Sequence, residues 1–129
     1  MQEGEILTEI RVPIPPGRFG NAYHKNERKV GDYATGGVAV QIVLDDNDVC
    51  VYAGIGLTNV NPTPLRALRS EDALMGSVIT EETIAAAAKF AGEDCNPSDD
   101  LRGDADYKRR VIRALTKRMI HKALERAKA

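Results

Sequence analysis

The chain has no tryptophan, and aromatic residues make up only 5% of its length. So few flat rings weaken any reading built on base stacking or an aromatic cage. Cys50 and Cys95 are far apart, and neither belongs to a C-x-x-C pair. They read as two reduced thiols, one of them core filler, which fits a cytoplasmic setting. The net charge is −1, which argues against strong overall attraction to nucleic acid or membranes. No apolar run approaches the ~20 residues that span a bilayer. The first residues are polar and charged, unlike the apolar region of a signal peptide. Neither G-x-S-x-G nor H-E-x-x-H occurs. His24 and His121 lie far apart in the chain, so no catalytic constellation stands out.

What is present is organised as strands first and helices last. At 129 residues one domain is expected, large enough to bury a core without staples. Glu5 to Val12 alternates as a strand should, and Pro13, Pro15, Pro16 and Gly17 stop it. Strands are expected over Phe19–Asn26, Ala34–Leu44 and Val49–Thr58, with a short extended piece over Leu65–Leu68. Ser70 is a candidate N-cap for a short helix over Glu71–Met75. Thr80 should cap a helix from Glu81 to Ala91, ended by Gly92. Asp104 should cap a last helix from Ala105 to about Arg126. Its apolar stripe is Tyr107, Val111, Leu115, Met119 and Leu124, broadened by Ile112 and Ile120. Segregated runs of this kind point to an α+β fold. Three to four mostly antiparallel strands are followed by three helices packed on one face.

Several clusters read as ordinary structure. Asp45-Asp46-Asn47-Asp48 lacks the alternating ligands, central glycine and distal glutamate of a calcium loop, and reads as a solvated turn. Gly54-x-Gly56 is followed by Asn59 where a third glycine would stand. Close packing or a bulge explains it better than a dinucleotide fingerprint. Asp99-Asp100 reads as a solvated loop pair, and His121 as a surface or boundary residue. The last helix carries many Lys and Arg residues. They are spread over several faces, which suits a solvated helix or a protein interface. A stand-alone interaction or nucleic-acid module using this basic helix is the alternative function.

The organising stretch is Tyr23 to Leu44, a charged, turn-prone segment running into an apolar one through Gly36 and Gly37. Glycines there let the backbone bend, or let another group approach closely. Tyr23–Val40, Y-x-K-x-x-R-K-x-G-D-Y-A-x-G-G-V-A-V, is similar to the opening of the C-terminal domain of FAD-binding medium subunits of molybdenum hydroxylases. Ser98–Leu115, S-D-D-L-R-G-D-A-D-Y-K-R-R-V-I-R-A-L, resembles that domain's last motif. Ala53-Gly54-Ile55-Gly56 and Pro64-Leu65-Arg66-Ala67 fit between them. Glu5–Pro16 looks like the link from a preceding flavin domain. The order and spacing most resemble the aerobic carbon monoxide dehydrogenase branch, and xanthine dehydrogenases share the domain.

The resemblance implies a role. In the family a molybdenum-containing large subunit oxidises substrate, and an iron–sulfur small subunit carries electrons. FAD in the medium subunit passes them to an acceptor. Two upstream FAD-binding domains hold most of the cofactor, and the C-terminal domain covers the isoalloxazine. Residues 1–129 are then a fragment of a longer subunit, or a separately made domain, inactive and weak in FAD binding alone. The holoenzyme would be cytoplasmic, with contact to the inner face of the membrane. By position, Tyr23 matches an aromatic near the flavin ring, which would shield one face from water. Lys25 falls near a family lysine beside the isoalloxazine, and His24 rivals it by one residue. A cation there would favour negative charge on the reduced ring. Asp32 matches the acid of the family's G-D-[YF]-A turn, either at the site or capping the turn. Arg102 and Tyr107 are expected to lock the last helix to the sheet.

Overall fold

A computed structural model of the chain describes residues 2–129. Four strands come first: β1 (Arg18–Asn26), β2 (Gly36–Leu44), β3 (Cys50–Thr58) and β4 (Leu65–Arg66). Three helices follow: α1 (Leu68–Asp72), α2 (Glu81–Asp94) and α3 (Ala105–Lys128). The strands form one antiparallel sheet in the order β1-β2-β3-β4. The fold is the expected α+β arrangement.

Strand alternation assigns the two faces. Val38, Val40, Ile42 and Leu44 of β2 and Ala53, Ile55 and Leu57 of β3 are buried. They form the core with Ile112, Leu115, Met119 and Ile120 of α3. β-Branched residues suit this pleated, covered surface. On β1 only Gly20 and Ala22 are buried on the same side. The reason is α3 itself, because a Cβ on Gly20 would stand 1.9 Å from the carbonyl oxygen of Ala123. Small residues on both partners therefore let the end of α3 lie directly on the strand. The other sheet face carries no helix.

Several local expectations are corrected. Glu5–Val12 is not a strand. It pairs with no neighbour, and Ile6, Ile10 and Val12 are exposed. Alternation permits an extended chain, but a strand also needs a ladder partner. Ser70 is not an N-cap. It lies inside α1, fully buried, and its hydroxyl donates to the carbonyl of Ala87 at 2.8 Å. Gly92 does not end α2, which continues to Asp94. Its missing side chain instead makes room for Arg113, whose Cγ would lie 2.4 Å from a Cβ there. The buried stripe of α3 keeps Ile112, Leu115, Met119 and Ile120 of the expected one, with Val111 and Leu124 only partly buried at its edge. It runs through Ile112, Leu115, Thr116, Met119, Ile120, Ala123 and Ala127, while Tyr107 is exposed. Ala123 and Ala127 mark the closest contact with β1 at Gly20, which a stripe of large apolar residues overlooks.

The caps of α2 and α3 follow the sequence. Thr80 and Thr83 form a capping box, and the Asp104 carboxylate accepts the Tyr107 N–H at 2.6 Å. In the β2–β3 turn the Asp45 carboxylate accepts the N–H groups of Asn47 and Val49, each at 2.9 Å. Asp48 takes a positive φ of 62° and pairs with Arg18 at 2.7 Å. The aspartate cluster thus builds a hairpin, and no metal-ligating group occurs among the described residues. The irregularity in the β2–β3 ladder falls at Val43/Leu44, not at Gly54 or Gly56.

Candidate functional site

The uncovered sheet face is the candidate site. Register aligns its side chains in cross-strand rows. One row is Tyr23, Ala39 and Gly56, continued by Arg66 of β4; the next is Asn21, Gln41 and Gly54. Together with Tyr52 and Pro64 they line an open groove of about 720 Å³. Its floor is small because Gly54, Gly56 and Ala39 present almost no side chain. Tyr52 leans over Gly54, with its hydroxyl 3.0 Å from where a Cβ would stand. Tyr23, 60% exposed, similarly reaches toward Gly37, its hydroxyl 3.6 Å from the corresponding Cβ position.

One end of the groove is braced by a buried acid. Glu71 is 2% exposed. Its Oε1 accepts the Ile55 N–H at 2.8 Å and the Arg66 Nε–H at 2.9 Å. The carboxylate thus satisfies a strand N–H where the two-residue β4 has given out, and it fixes the guanidinium beside the groove. The ion pair with Glu71 raises the pKa of Arg66 above its ordinary value.

The four residues named from sequence do not converge. Tyr23 and Lys25 share the open face, whereas alternation turns His24 to the opposite side. Lys25 stands in the next row, with Gly37 and Thr58, and its ammonium turns toward the following loop. It pairs with Glu27 at 2.6 Å and donates to the Asp32 carbonyl at 3.2 Å. The Glu27 contact raises its pKa. Asp32 is held in the turn: its Oδ1 accepts the Arg102 Nη2–H and the Tyr33 N–H, both at 2.8 Å. These bonds, the arginine's first, lower its pKa from the usual aspartate value. Arg102 therefore clasps the loop before α3 to the β1–β2 connection. Tyr107 packs against Gly103. The Asp99-Asp100 pair is structural rather than merely solvated. Asp99 accepts the Ala105 N–H at 2.7 Å, and Asp100 pairs at 2.7 Å with Lys108, which is 3% exposed.

Three surface features escaped the sequence reading. Tyr52 forms the far wall of the groove, and its signal was the same-face run of Tyr52, Gly54 and Gly56. Tyr33 is 78% exposed, with the Arg102 guanidinium 5.5 Å from its ring centre. An exposed ring next to a turn acid was its available sign. The basic residues of α3 are also less scattered than expected. Arg110, Arg113, Lys117, Arg118 and His121 line one groove against α2.

Residues 21–123 match the CO dehydrogenase flavoprotein C-terminal domain, and the chain belongs to that family. It is 43% identical over 126 residues to the carbon monoxide dehydrogenase medium chain of Hydrogenophaga pseudoflava, covering 98% of this chain and 44% of that one. It is 39% identical over 128 residues to the medium chain from Afipia carboxidovorans, covering 99% and 44%. A solved carbon monoxide dehydrogenase from Hydrogenophaga pseudoflava, lacking the Mo-pyranopterin moiety, superposes with a TM-score of 0.93 at 44% identity. That match covers 98% of this chain and 44% of the solved one. The chain therefore spans less than half the length of these relatives.

Proposed function

We propose that residues 1–129 are one domain of a longer FAD-binding medium subunit of a molybdenum hydroxylase, of the carbon monoxide dehydrogenase type. In this reading the domain covers the isoalloxazine while upstream domains hold the rest of the cofactor. FAD, when bound, accepts electrons that arrive through an iron–sulfur small subunit from a molybdenum-containing large subunit, and passes them to an acceptor. The observation that carries the reading is the open-face groove, with a floor of Ala39, Gly54 and Gly56 and with Tyr23 and Tyr52 in its walls. A planar ring fits such a floor, and Tyr23 would shield one face of it from water. Lys25 lies in the adjoining row and would supply positive charge there on leaving Glu27.

The chain's own residues also fit a lid better than a grip. Gly54 and Gly56 lie within the β2–β3 ladder, so their backbone is engaged in the sheet and forms no phosphate-cradling loop. The exposed apolar side chains of residues 6–14 suit a connecting segment that upstream domains would cover. The buried, unpaired thiols of Cys50 and Cys95 fit a cytoplasmic setting. No helix among the described residues is long and apolar enough to cross a membrane, and contact with its inner face would come through the holoenzyme.

The test is flavin titration of the reconstituted full-length subunit carrying Tyr23→Ala, Lys25→Ala or Tyr33→Ala. Weakened binding in the first two supports a flavin on the sheet face. Unchanged binding in both removes those contacts. A loss confined to Tyr33→Ala moves the ring to the Asp32–Tyr33 turn.

A further inference from the structure

A second concave surface lies on the helical side of the molecule, away from the open sheet face. Glu81 at the start of α2 meets Lys117 and His121 of α3, at 3.1 and 3.2 Å. Gly92 near the end of α2 meets Arg113. The two helices are therefore antiparallel neighbours, and a groove of about 620 Å³ runs between them. Its floor carries Ala85, Ala88 and Ala114. Its rims carry Lys89, Arg110, Arg113, Lys117, Arg118 and His121.

This charge is not balanced from within. Glu93 pairs with Lys89, and Glu81 with Lys117 and His121. Among the described residues no carboxylate ion-pairs with Arg110, Arg113 or Arg118. Yet the whole chain has a net charge of −1. After Glu81 and Glu93 have taken their partners, Arg110, Arg113 and Arg118 are left as an excess of positive charge on one groove of a nearly neutral protein.

We infer that the α2–α3 groove docks an acidic helix of a partner polypeptide, whose small residues seat on the three alanines while its Asp and Glu side chains meet the flanking arginines. Alanine methyls let a third helix axis come close, in the manner of ridges packing into grooves. Charges bordering a narrow apolar seam then select the partner by sign. Glu81 displays the contact in miniature, since one carboxylate already bridges Lys117 and His121 on the rim. Two other polyanions suit the surface less well. A flat bilayer does not reach a concave floor, and a floor of methyl groups with no aromatic ring offers bases nothing to stack on. This surface is separate from the sheet groove, so the inference stands whether or not a flavin lies there.

The test uses the 129-residue chain and a synthetic Ala-rich helical peptide with Glu flanking its alanine ridge. A proline-interrupted peptide of equal charge is the control. Amide and methyl NMR shifts should map binding to Ala85, Ala88 and Ala114. Binding should weaken with salt and be much poorer for the interrupted peptide. The double variant Arg110→Glu/Arg118→Glu removes two exposed, unpaired rim charges and should keep the parent melting temperature. It should bind the helical peptide roughly tenfold more weakly or worse. Equal binding of both peptides, or an unchanged affinity in the double variant, would overturn the proposal. So would tighter binding to phosphatidylglycerol vesicles or a single-stranded oligonucleotide, which would assign the groove to a membrane or a nucleic acid.

Discussion

Arg102 and Asp32 are 70 positions apart in the chain, and their side chains meet at 2.8 Å. That bond, with a second from the Arg102 Nε–H to the Tyr33 carbonyl, holds the exposed Tyr33 turn against the loop preceding α3. Replacing Arg102 by Ala should speed hydrogen exchange at the Tyr33 amide, which donates to the same carboxylate, and leave core amides protected. The pH dependence has a definite sign. The folded state lowers the Asp32 pKa, so the clasp is fully formed above the ordinary aspartate range. It is lost as pH falls through the lower, folded value. Asp32→Asn should remove that acid-side loss. Equal exchange in parent and variants across the acid range would show that the clasp does not order the turn.

The approach of α3 to β1 depends on a missing side chain. A Cβ at position 20 would lie 1.9 Å from the Ala123 carbonyl oxygen and 2.5 Å from the Ala127 nitrogen. Both are backbone atoms, and no rotamer change relieves the clash. Gly20→Ala should therefore destabilise the protein by about 3 kcal/mol, the upper range for overpacking. Chemical denaturation measures this directly. A loss under about half that would mean that α3 is not seated on the strand as described.

These contacts mark the boundary of what the sequence makes legible. Strands β2 and β3 were readable because they are continuous apolar runs separated by the turn residues Asp45–Asp48. The N-caps of α2 and α3 carry a local signature, so Thr80 and Asp104 were placed correctly. Ser70, Gly20 and Gly92 could not be placed, because their roles are set by partners 17 or more residues away. The uncovered sheet face had a period-two pattern in view, yet which face the helices leave bare depends on packing. Tyr23 and Lys25 could be put on a common side by counting alternate residues. The rotation of Lys25 toward Glu27, and of Asp32 toward Arg102, follows only from the folded turn.

Glu71 gives a third prediction. Its buried carboxylate takes the Ile55 N–H, a backbone donor with no strand partner at that point. Glu71→Ala leaves the donor unsatisfied and frees Arg66. The expected cost is about 2–3 kcal/mol, as for hydrogen bonds to a buried charged group. Glu71→Gln keeps an acceptor for Ile55 but loses the ion pair, so it should fall between parent and Ala. Urea midpoints for the three proteins should show that order. If Gln and Ala were equally destabilised, the ion pair with Arg66 would dominate over the strand N–H.

The two thiols give the last. Cys50 and Cys95 are both buried and unpaired. Burial raises the pKa of Cys50, and it pushes that of Cys95 up to about 11. The Cys95 Sγ also lies 3.0 Å from the Ala91 carbonyl of the preceding helical turn. Because the thiolate is the reacting form, neither group should react at neutral pH while the chain is folded. Labelling with a thiol-specific reagent should follow unfolding, and its rate should rise with urea in step with loss of the helical signal. Cys95→Ser would put a hydroxyl in the same buried site with the same carbonyl available, and should cost less than Cys95→Asp, which forces a charge there. Rapid labelling of Cys95 in the native protein would show that the end of α2 opens locally, and that Val60, whose carbonyl accepts the Asn96 N–H at 3.0 Å, does not keep the connection to α3 closed.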